Sequence, residues 1–309
     1  MARPKIGVIG AGFVGMTVAQ RIAERELGDV VLMDIIPDMP KGKALDLCES
    51  GPVEGYDSRV TGTSTMDEVA GCDVVVITSG LPRKPGMSRE DLIDKNAEIV
   101  RDVSSKVGKN NPNAIIVTVT NPLDIMTYLC WKVTGFPKQR VVGMAGVLDS
   151  ARFCYFIAEK MNISMRDISA MVLGGHGDTM VPLPRYTTVS GISINDLLPK
   201  ETVDQLVDRT RKGGAEIVNL LKQGSAYYAP SASVAAMVES ILRDERRILP
   251  CCAMLDGEYG LREVCAGVPV TLGRNGVEQV HVLKLTEEET KALYKSADGV
   301  KSGIKHLKL

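Results

Sequence analysis

The sequence has few aromatic residues, no surplus of charge of either sign and no long apolar run. Only 4% of the 309 residues are aromatic, and 37 Lys and Arg residues are balanced by 38 Asp and Glu residues. Because a nucleic-acid surface needs a concentrated excess of Lys and Arg, the balanced charge argues against a nucleic-acid partner. The 44% of hydrophobic residues is typical of a globular protein with a dense core, which excludes a disordered chain.

The uncharged apolar runs are no longer than strands, as residues 114–119 illustrate. A helix that spans a bilayer needs about 20 apolar residues, so we expect no membrane segment and no membrane partner. The N-terminal residues lead into an apolar strand that reaches glycine after a few positions. This stretch is too short for a signal peptide, and we expect none.

Cysteine is present, but without the spacing of a metal site or a disulfide framework. The seven cysteines are odd in number and include no C-x-x-C pair. This pattern predicts reduced thiols that are buried as small hydrophobic residues in a cytoplasmic protein. Because the adjacent Cys251 and Cys252 lack the spacing of zinc ligands, we expect no metal site.

Up to about residue 145, short β-branched runs alternate with longer helical patterns. The apolar runs cover residues 6–9, 30–33, 74–77, 115–119 and 141–142. Continuously apolar strands are typical of a parallel sheet that is covered on both faces, and the stretches 14–27 and 91–107 are long enough to be crossover helices. We therefore predict an α/β domain with a doubly wound parallel sheet of the Rossmann type over residues 1–145.

The pattern changes after about residue 146. It predicts a helix over 148–161, short strands over 168–194, long helices over 201–222 and 231–243, further strands and a C-terminal helix. This order is typical of an α+β domain, which we assign to residues 146–309. No Pro-, Gly- or Ser-rich linker separates the two domains, so we expect extensive contact between them and a functional site in the crevice.

A glycine-rich turn follows the first predicted strand and opens a helix. Its residues are Gly10, Ala11, Gly12, Phe13, Val14 and Gly15. In this pattern the first glycine permits the tight turn, the second lets the backbone approach a pyrophosphate, and the third lets helix and strand pack closely. Asp34, at the end of the second strand, would accept hydrogen bonds from a ribose diol and repel a 2′-phosphate. The pattern favours NAD over NADP, although a glycine turn alone also occurs as a purely structural element.

A segment rich in Gly and Pro, which carries three cations, follows the fourth predicted strand at residues 80–89. In open α/β sheets ligands bind at the carboxyl ends of the strands, so the segment lies over the expected site. Its terminal glycines suit a hinged lid that brings Arg83 and Arg89 onto an anion. A solvated basic turn is the alternative.

Two asparagines lie near the same strand ends. Asn96 is seven residues after Arg89 and shares its helix face, so it could reach the cofactor or could be a polar surface residue. Asn121 precedes Pro122 at the end of the fifth strand, where the residue before proline avoids helical geometry and can present its amide and the preceding carbonyls to a ligand. A turn or N-cap role explains Asn121 almost as well.

The second half contains one histidine in an unusual setting. His176 is flanked by glycines and therefore has little local packing, which argues against an ordinary core histidine. Asp149 and Arg152 are three residues apart on a predicted helix and share a face. If His176 contacts Asp149 in the fold, the pair forms a general acid or base, and Arg152 could bind a substrate carboxylate. A local Asp149–Arg152 ion pair with His176 in an unrelated turn remains open.

Taken together, these motifs resemble the lactate/malate dehydrogenase family over nearly the whole chain. The resemblance rests on the glycine turn, Asp34, residues 83–87, residues 120–122, residues 149–152 and residues 174–178. It implies that His176 is the proton acceptor from the substrate hydroxyl, that Asp149 orients it, and that Arg152 holds the carboxylate next to the reacting carbon.

The resemblance also implies the roles of residues in the first half. Arg89 and Asn121 are expected near the reacting oxygen. Asn96 is expected to line the NAD cofactor, together with the backbone of Val119, Thr120 and Asn121. A cis peptide bond before Pro122 is a further expectation.

Position 83 determines which substrate the resemblance implies. Family members that act on lactate have Gln at the matching position, whereas Arg83 would pair with the second carboxylate of a dicarboxylate. The implied reaction is the reversible oxidation of (S)-malate to oxaloacetate by a homo-oligomer, a tetramer or a dimer. The alternatives are L-lactate or another 2-hydroxy acid as substrate, a non-catalytic NAD-binding sensor, and a glycoside hydrolase built on an NAD-binding domain.

Overall fold

The computed structural model describes residues 3–82 and 89–307. Of the predicted lid, Arg83 and the positions up to Ser88 lie outside the described residues, as does the side chain of Arg89.

Short strands and longer helices alternate through the first half of the chain, as predicted. The elements are β1 (Lys5–Ile9), α1 (Phe13–Glu24), β2 (Asp29–Met33), α2 (Met39–Glu54), β3 (Val60–Thr63), β4 (Val74–Ile77), α3 (Arg89–Asn110), β5 (Ile115–Thr118), α4 (Leu123–Thr134) and β6 (Val141–Gly143). Every residue of β4 and β5 is buried. Such full burial explains why these strands are continuously apolar instead of alternating.

The second half mixes short strands, long helices and an antiparallel meander, as its sequence pattern predicted. The elements are α5 (Gly146–Met161), β7 (Ile168–Ser169), β8 (Val172–Leu173), β9 (Val181–Pro182), β10 (Thr188–Val189), β11 (Ile192–Ser193), α6 (Ile194–Leu197), α7 (Lys200–Leu221), α8 (Tyr228–Leu242), β12 (Arg247–Asp256), β13 (Arg262–Gly273), β14 (Gly276–Val280) and α9 (Glu287–Lys305). Helix α9 begins with a capping box in which Thr286 and Glu289 each accept the other's main-chain N–H.

Within the described residues, nine strands form one sheet in the order β14-β13-β12-β6-β5-β4-β1-β2-β3. The order of its six parallel strands is that of the doubly wound dinucleotide-binding fold, which confirms the predicted fold class. Strand β12 joins the edge of β6 in antiparallel pairing through Cys252 and Gly143. This continuation of the sheet is not predicted by the sequence, because pairing between segments so distant along the chain leaves no local pattern.

The parallel strands in the middle of the sheet end at the same edge. Ile9 of β1 is in register with Ile77 of β4, which is in register with Thr118 of β5. The segments that follow these three strands therefore meet at one place. They are the glycine turn, the loop that leads towards residue 83, and the segment that contains Asn121.

All seven cysteines are unpaired, five of them buried and two half-buried. Burial raises the pKa of the Cys130 thiol to about 12, so this side chain stays protonated and packs as a small apolar group. This agrees with the prediction of reduced, buried thiols. Among the helices of the described ranges, none is both long and apolar enough to cross a bilayer.

Candidate active site

The three glycines of the turn after β1 lie in three different structural environments. Gly10 has a φ of +102°, a conformation that favours glycine. A Cβ atom on Gly15 would lie 1.8 Å from the carbonyl oxygen of Gly10, so only glycine fits where α1 packs against the turn. A Cβ on Gly12 would meet no atom of the described residues within 4 Å, so this position faces open space. The φ of Gly10 and the close approach at Gly15 agree with the tight turn and the close packing predicted for these two positions, and the approach of a pyrophosphate at Gly12 stays a prediction.

Asp34 binds the glycine turn directly. Its Oδ2 accepts the main-chain N–H of Ala11 at 2.7 Å, and its Oδ1 accepts the N–H of Ile36 at 3.1 Å. Each carboxylate oxygen has further lone pairs, so both can still accept a hydrogen bond from a hydroxyl group. The two main-chain contacts hold the carboxylate in one orientation at the end of β2.

Lys43, on α2, is a site residue that the sequence analysis missed. Its Nζ donates to the carbonyl oxygen of Ala11 at 2.6 Å and is partly buried. The peptide groups on the two sides of Ala11 are therefore held by a carboxylate and by an ammonium group. No motif spacing links residue 43 to the turn, because the contact depends on how α2 crosses the end of the sheet.

The turn fits a dinucleotide. Helix α1 begins at Phe13 after Gly12, and no described side chain caps its N-terminus, so its first N–H groups are available to an anion at the open face of Gly12. Val14 is half-buried, and Phe13 is exposed and stacks on Tyr227 with 5.2 Å between the ring centroids. The donor groups suit a pyrophosphate and the Asp34 carboxylate suits a ribose diol, and NAD contains both of these groups.

Asn96 is buried on α3 and binds the two neighbouring loops. Its Oδ1 accepts the N–H of Leu81 at 2.8 Å, and its Nδ2 donates to the carbonyl oxygens of Leu81 at 3.1 Å and of Asn121 at 2.7 Å. The alternative of a polar surface residue is wrong, because Asn96 is 1% exposed. Both ends of its amide are engaged by main chain, so its contacts position the loops.

The segment from Val119 to Asn121 is anchored to β4 and its loop. The N–H of Val119 donates to the carbonyl of Ile77 at 2.9 Å, and Oγ1 of Thr120 donates to the carbonyl of Ser79 at 2.7 Å. Asn121 is exposed and the peptide bond that follows it is cis, as the resemblance implies. The N-cap residue of α4 is Pro122, so the N-cap alternative for Asn121 is wrong.

His176 contacts Asp149, as the general acid–base hypothesis required. Nδ1 of His176 lies 2.9 Å from Oδ2 of Asp149, whose other oxygen lies 3.3 Å from Nη1 of Arg152. The alternative that placed His176 in an unrelated turn is wrong. Because Asp149 occupies Nδ1, the opposite ring nitrogen Nε2 is the one left for a ligand.

Burial and charge act in opposite directions on this group of residues. Burial alone would lower the pKa of His176, but the charge of Asp149 and its hydrogen bond leave that pKa raised above the ordinary value of 6.5. Burial lowers the pKa of Arg152, and Asp149 opposes that shift. The carboxylate of Asp149 thus stabilises positive charge on both of its neighbours.

Two consecutive glycines of α7, Gly213 and Gly214, lie against Arg152. A Cβ on Gly213 would lie 3.3 Å from Cδ of Arg152, and one on Gly214 would lie 3.7 Å from its Nη2. Nε of Arg152 is buried without a hydrogen-bond partner among the described residues, so the guanidinium keeps donors for a carboxylate. No predicted motif included these glycines, although a glycine pair inside a helix is a signal, because each glycine costs about 1 kcal/mol relative to Ala.

Asp124, in the first turn of α4, is a second buried carboxyl group next to His176 that the sequence analysis missed. Its Oδ2 accepts the main-chain N–H of His176 at 2.8 Å. It follows Pro122 by two positions, so a signal was present next to the asparagine and proline already noted.

Comparison with known families agrees with this geometry. A family model described as the NAD-binding domain of lactate/malate dehydrogenase matches residues 4–143. A second, described as the alpha/beta C-terminal domain of lactate/malate dehydrogenase, matches residues 146–308. The two matches together cover nearly the whole chain.

Individual relatives match over their full length. A malate dehydrogenase of Roseiflexus sp. (strain RS-1) is 60% identical over 306 residues, which cover 99% of both chains. The crystal structure of Cryptosporidium parvum malate dehydrogenase has a TM-score of 0.97 at 41% identity and covers 99% of both chains. A lactate dehydrogenase of the same organism, solved with lactic acid and β-nicotinamide adenine dinucleotide, has a TM-score of 0.95, also at 41% identity, and covers 99% of this chain and 98% of its own.

Proposed function

The chain belongs to the lactate/malate dehydrogenase family, and from that premise we infer that it catalyses the reversible NAD-dependent oxidation of (S)-malate to oxaloacetate. When bound, NAD accepts the hydride that leaves the hydroxyl-bearing carbon of the substrate. The protein binds both molecules, excludes water and moves one proton.

His176 moves that proton. In the direction of malate oxidation, neutral Nε2 takes the proton of the substrate hydroxyl while Asp149 holds Nδ1–H and stabilises the imidazolium that forms. In the reverse direction the imidazolium returns the proton to the oxygen. Only one of the two ring nitrogens can face the substrate, because the other is 2.9 Å from Asp149.

Cations bind the two carboxylates of the substrate in this proposal. Arg152 binds the carboxylate next to the reacting carbon, since its guanidinium has donors beyond the one that Asp149 engages. Arg83 pairs with the distal carboxylate, and Arg89 and Asn121 act near the reacting oxygen. The roles of Arg83 and Arg89 rest on the family resemblance, because these side chains lie outside the described residues.

The contact between His176 and Asp149 at the edge of the NAD-type sheet is the observation on which the catalytic proposal rests. A non-catalytic NAD-binding sensor would have no need for a buried carboxylate that orients an imidazole and pairs with Arg152. The relatives that are named malate dehydrogenase support a dicarboxylate as the substrate. A lactate dehydrogenase is nevertheless as similar to this chain, at 41% identity, as one of the malate dehydrogenase structures, so similarity by itself leaves lactate as the second candidate.

An initial-rate panel separates these functions. Oxaloacetate, pyruvate and other 2-oxo acids are each assayed with NADH and with NADPH, in the wild type and in His176→Asn. We expect oxaloacetate with NADH to be strongly preferred, and the variant to lose at least about 100-fold in kcat. Equal rates with pyruvate would reject the malate assignment, and unchanged turnover in the variant would reject His176 as the proton carrier.

We further propose residues 1–145 as the NAD-binding domain and 146–309 as the catalytic domain, a cytoplasmic location, a role in the tricarboxylic acid cycle and a homotetrameric or dimeric assembly. The unpaired cysteines support a reducing compartment.

Leu45 and Val53 of α2 are 61% and 86% exposed and lie two turns apart, which supports a contact between copies. Sedimentation equilibrium tests the assembly, and a monomer at micromolar concentration would contradict it.

A further inference from the structure

The loop that carries His176 is held by its main chain. It contains Gly174 and Gly177, both with positive φ, so it has few side chains that could pack and fix it. The N–H of Gly174 donates to the carbonyl of Gly267 on β13 at 2.9 Å, and the N–H of Gly175 donates to Oγ of Ser296 on α9 at 2.8 Å. The N–H of His176 donates to Asp124 on α4 at 2.8 Å. Three consecutive amides therefore bind three separate elements.

Asp124 differs from the other two anchors because it lies between the two parts of the site. It lies in the first turn of α4, three positions after Asn121, whose carbonyl binds Asn96 on the cofactor side. On its other side it binds the residue proposed to move the proton. It is 5% exposed, so its carboxyl group is almost completely removed from solvent.

We propose that Asp124 is a positioning residue for His176: its carboxyl oxygen holds the main-chain N–H of His176, so that the imidazole is held from the backbone by Asp124 and from Nδ1 by Asp149. This inference deepens the proposed malate oxidation and rests on it. The role assigned to Asp124 is that of a hydrogen-bond acceptor, and it does not require a negative charge on the carboxyl group.

The surroundings of Asp124 agree with an acceptor role. Burial raises the pKa of Asp124, while the hydrogen bond from the His176 N–H and the charge of His176 oppose that shift. Within residues 3–82 and 89–307, the other titratable groups recorded as acting on it are Asp149 on α5 and the thiol of Cys252 on β12. A second full negative charge this close to Asp149 would be unfavourable, whereas a neutral carboxyl group still offers a carbonyl oxygen to the N–H.

Substitutions at position 124 separate hydrogen bonding from charge. Asp124→Asn keeps an acceptor oxygen and removes the acid. Asp124→Ala removes both, and Asp124→Leu, which is close to Asp in shape and has no side-chain acceptor, serves in its place if the alanine variant does not fold. Thr127→Val is the matched control, because Thr127 is buried one turn further along α4 and its hydroxyl bonds Thr118 instead of the His176 loop. The kcat and KM for malate are measured as a function of pH, together with thermal unfolding.

We expect Asp124→Ala to lower kcat by about 10- to 100-fold, because a small displacement of the proton acceptor is enough to cause such a loss. The KM for malate should change by less than about threefold, because the cations that bind the carboxylates are untouched. Asp124→Asn should retain kcat within about threefold of the wild type, and Thr127→Val should match the wild type in kcat despite its own loss of stability. An alanine variant as active as Thr127→Val would overturn the proposal, as would an asparagine variant as impaired as alanine.

A measurement on the imidazole itself keeps this inference separate from the proposed reaction. The chain has only three histidines, so the ring signals of His176 can be assigned by NMR through their absence in His176→Asn. We expect the Nδ1–H signal of the hydrogen bond to Asp149 to persist in the wild type, Asp124→Asn and Thr127→Val, and to be lost in Asp124→Ala. If the wild type fails to oxidise malate but shows this pattern, the reaction is wrong and the positioning role stands. Persistence of the signal in Asp124→Ala would reject the positioning role.

Discussion

Nδ2 of Asn96 lies 2.7 Å from the carbonyl oxygen of Asn121, and the same amide pairs with both main-chain groups of Leu81. One side chain on α3 thus connects the loop after β4 with the segment after β5. These are the two segments proposed to carry substrate-binding and cofactor-lining groups. The spacing between these two segments therefore depends on Asn96, whose side-chain amide forms hydrogen bonds with main-chain groups of both.

Replacing Asn96 should disturb cofactor binding as well as stability. Asn96→Ala leaves three main-chain groups without their partner, so we expect a loss of about 2 kcal/mol or more in the free energy of unfolding and at least a severalfold rise in the KM for NAD. Asn111→Ala is the matched control, because Asn111 is equally buried and its Oδ1 accepts the N–H of Cys72 at 2.7 Å, at a position remote from the strand ends of the site. Denaturant unfolding and NAD titration measure both effects. Equal changes in KM in the two variants would contradict the positioning role of Asn96.

Lys43 should contribute to the shape of the dinucleotide turn. Removing its contact with the Ala11 carbonyl in Lys43→Met should raise the KM for NAD by about two- to tenfold, because a typical net hydrogen bond contributes about 0.5–1.5 kcal/mol. Lys41→Met, on the same helix, removes an exposed ammonium group whose one ion pair within the described part of the chain is with Asp38 at 3.4 Å. Initial rates at varied NAD should show an effect in the first variant and almost none in the second. The reverse pattern would mean that general positive charge, and not the contact with Ala11, matters.

The rate of malate oxidation should rise with pH as His176 loses its proton, with a midpoint above 6.5 because the pKa of His176 is raised. Asp149→Asn removes the charge that raises this pKa, and burial continues to lower it. The acid limb of kcat/KM should therefore move to lower pH, while kcat falls about 100-fold or more because the ring loses its orienting partner.

Asp102→Asn is the control for this pH profile, because Asp102 is an exposed carboxylate on α3 that pairs with Lys106. We expect its profile to match that of the wild type, since an exposed ion pair has little influence on a distant buried group. An acid limb that stays at the same pH in Asp149→Asn would show that a group other than His176 titrates there.

Exchange of Arg83 for Gln should change the substrate preference. Loss of the cation proposed to pair with the distal carboxylate should lower kcat/KM for oxaloacetate by about 100-fold or more and raise it for pyruvate. Arg83→Lys keeps a positive charge and should retain the preference for oxaloacetate with a smaller loss, because a lysine cannot form the same two-point contact. The ratio of kcat/KM for the two substrates is the measurement. If the ratio is unchanged in Arg83→Gln, the proposal that position 83 determines the substrate preference is wrong.

Much of the fold could be predicted because its elements have strong local patterns. Strands such as β4 and β5 are largely apolar runs, and the glycine turn predicts the start of α1. The pairing of β12 with β6 through Cys252 and Gly143 could not be predicted, because no pattern in either strand specifies its partner. The burial of Asn96 could not be predicted either, because the residues next to it in the sequence do not show which face of α3 contacts the loops.

The site was partly predictable for the same reason. Asp34 and the glycines have a fixed spacing along the chain, and His176 stands out because glycines surround it. Lys43 and Asp124 were missed, because each acts through one contact with a main-chain group that is remote in sequence. The roles of the lid residues from Arg83 to Ser88 remain predictions, because these residues lie outside the described part of the chain.

The fold class and the family could be inferred from the order of residues alone, because the apolar periodicity and the motif spacings are local properties that any chain with this pattern carries. The folded chain was needed to show that Asp149 lies between His176 and Arg152, and that Asp124 holds the backbone of the His176 loop. Such contacts join segments that are distant in sequence, and their geometry follows from how α4, α5 and the loop after β8 pack. A carboxylate raises the pKa of an imidazole only at contact distance, so the chemistry of the site depends on that packing.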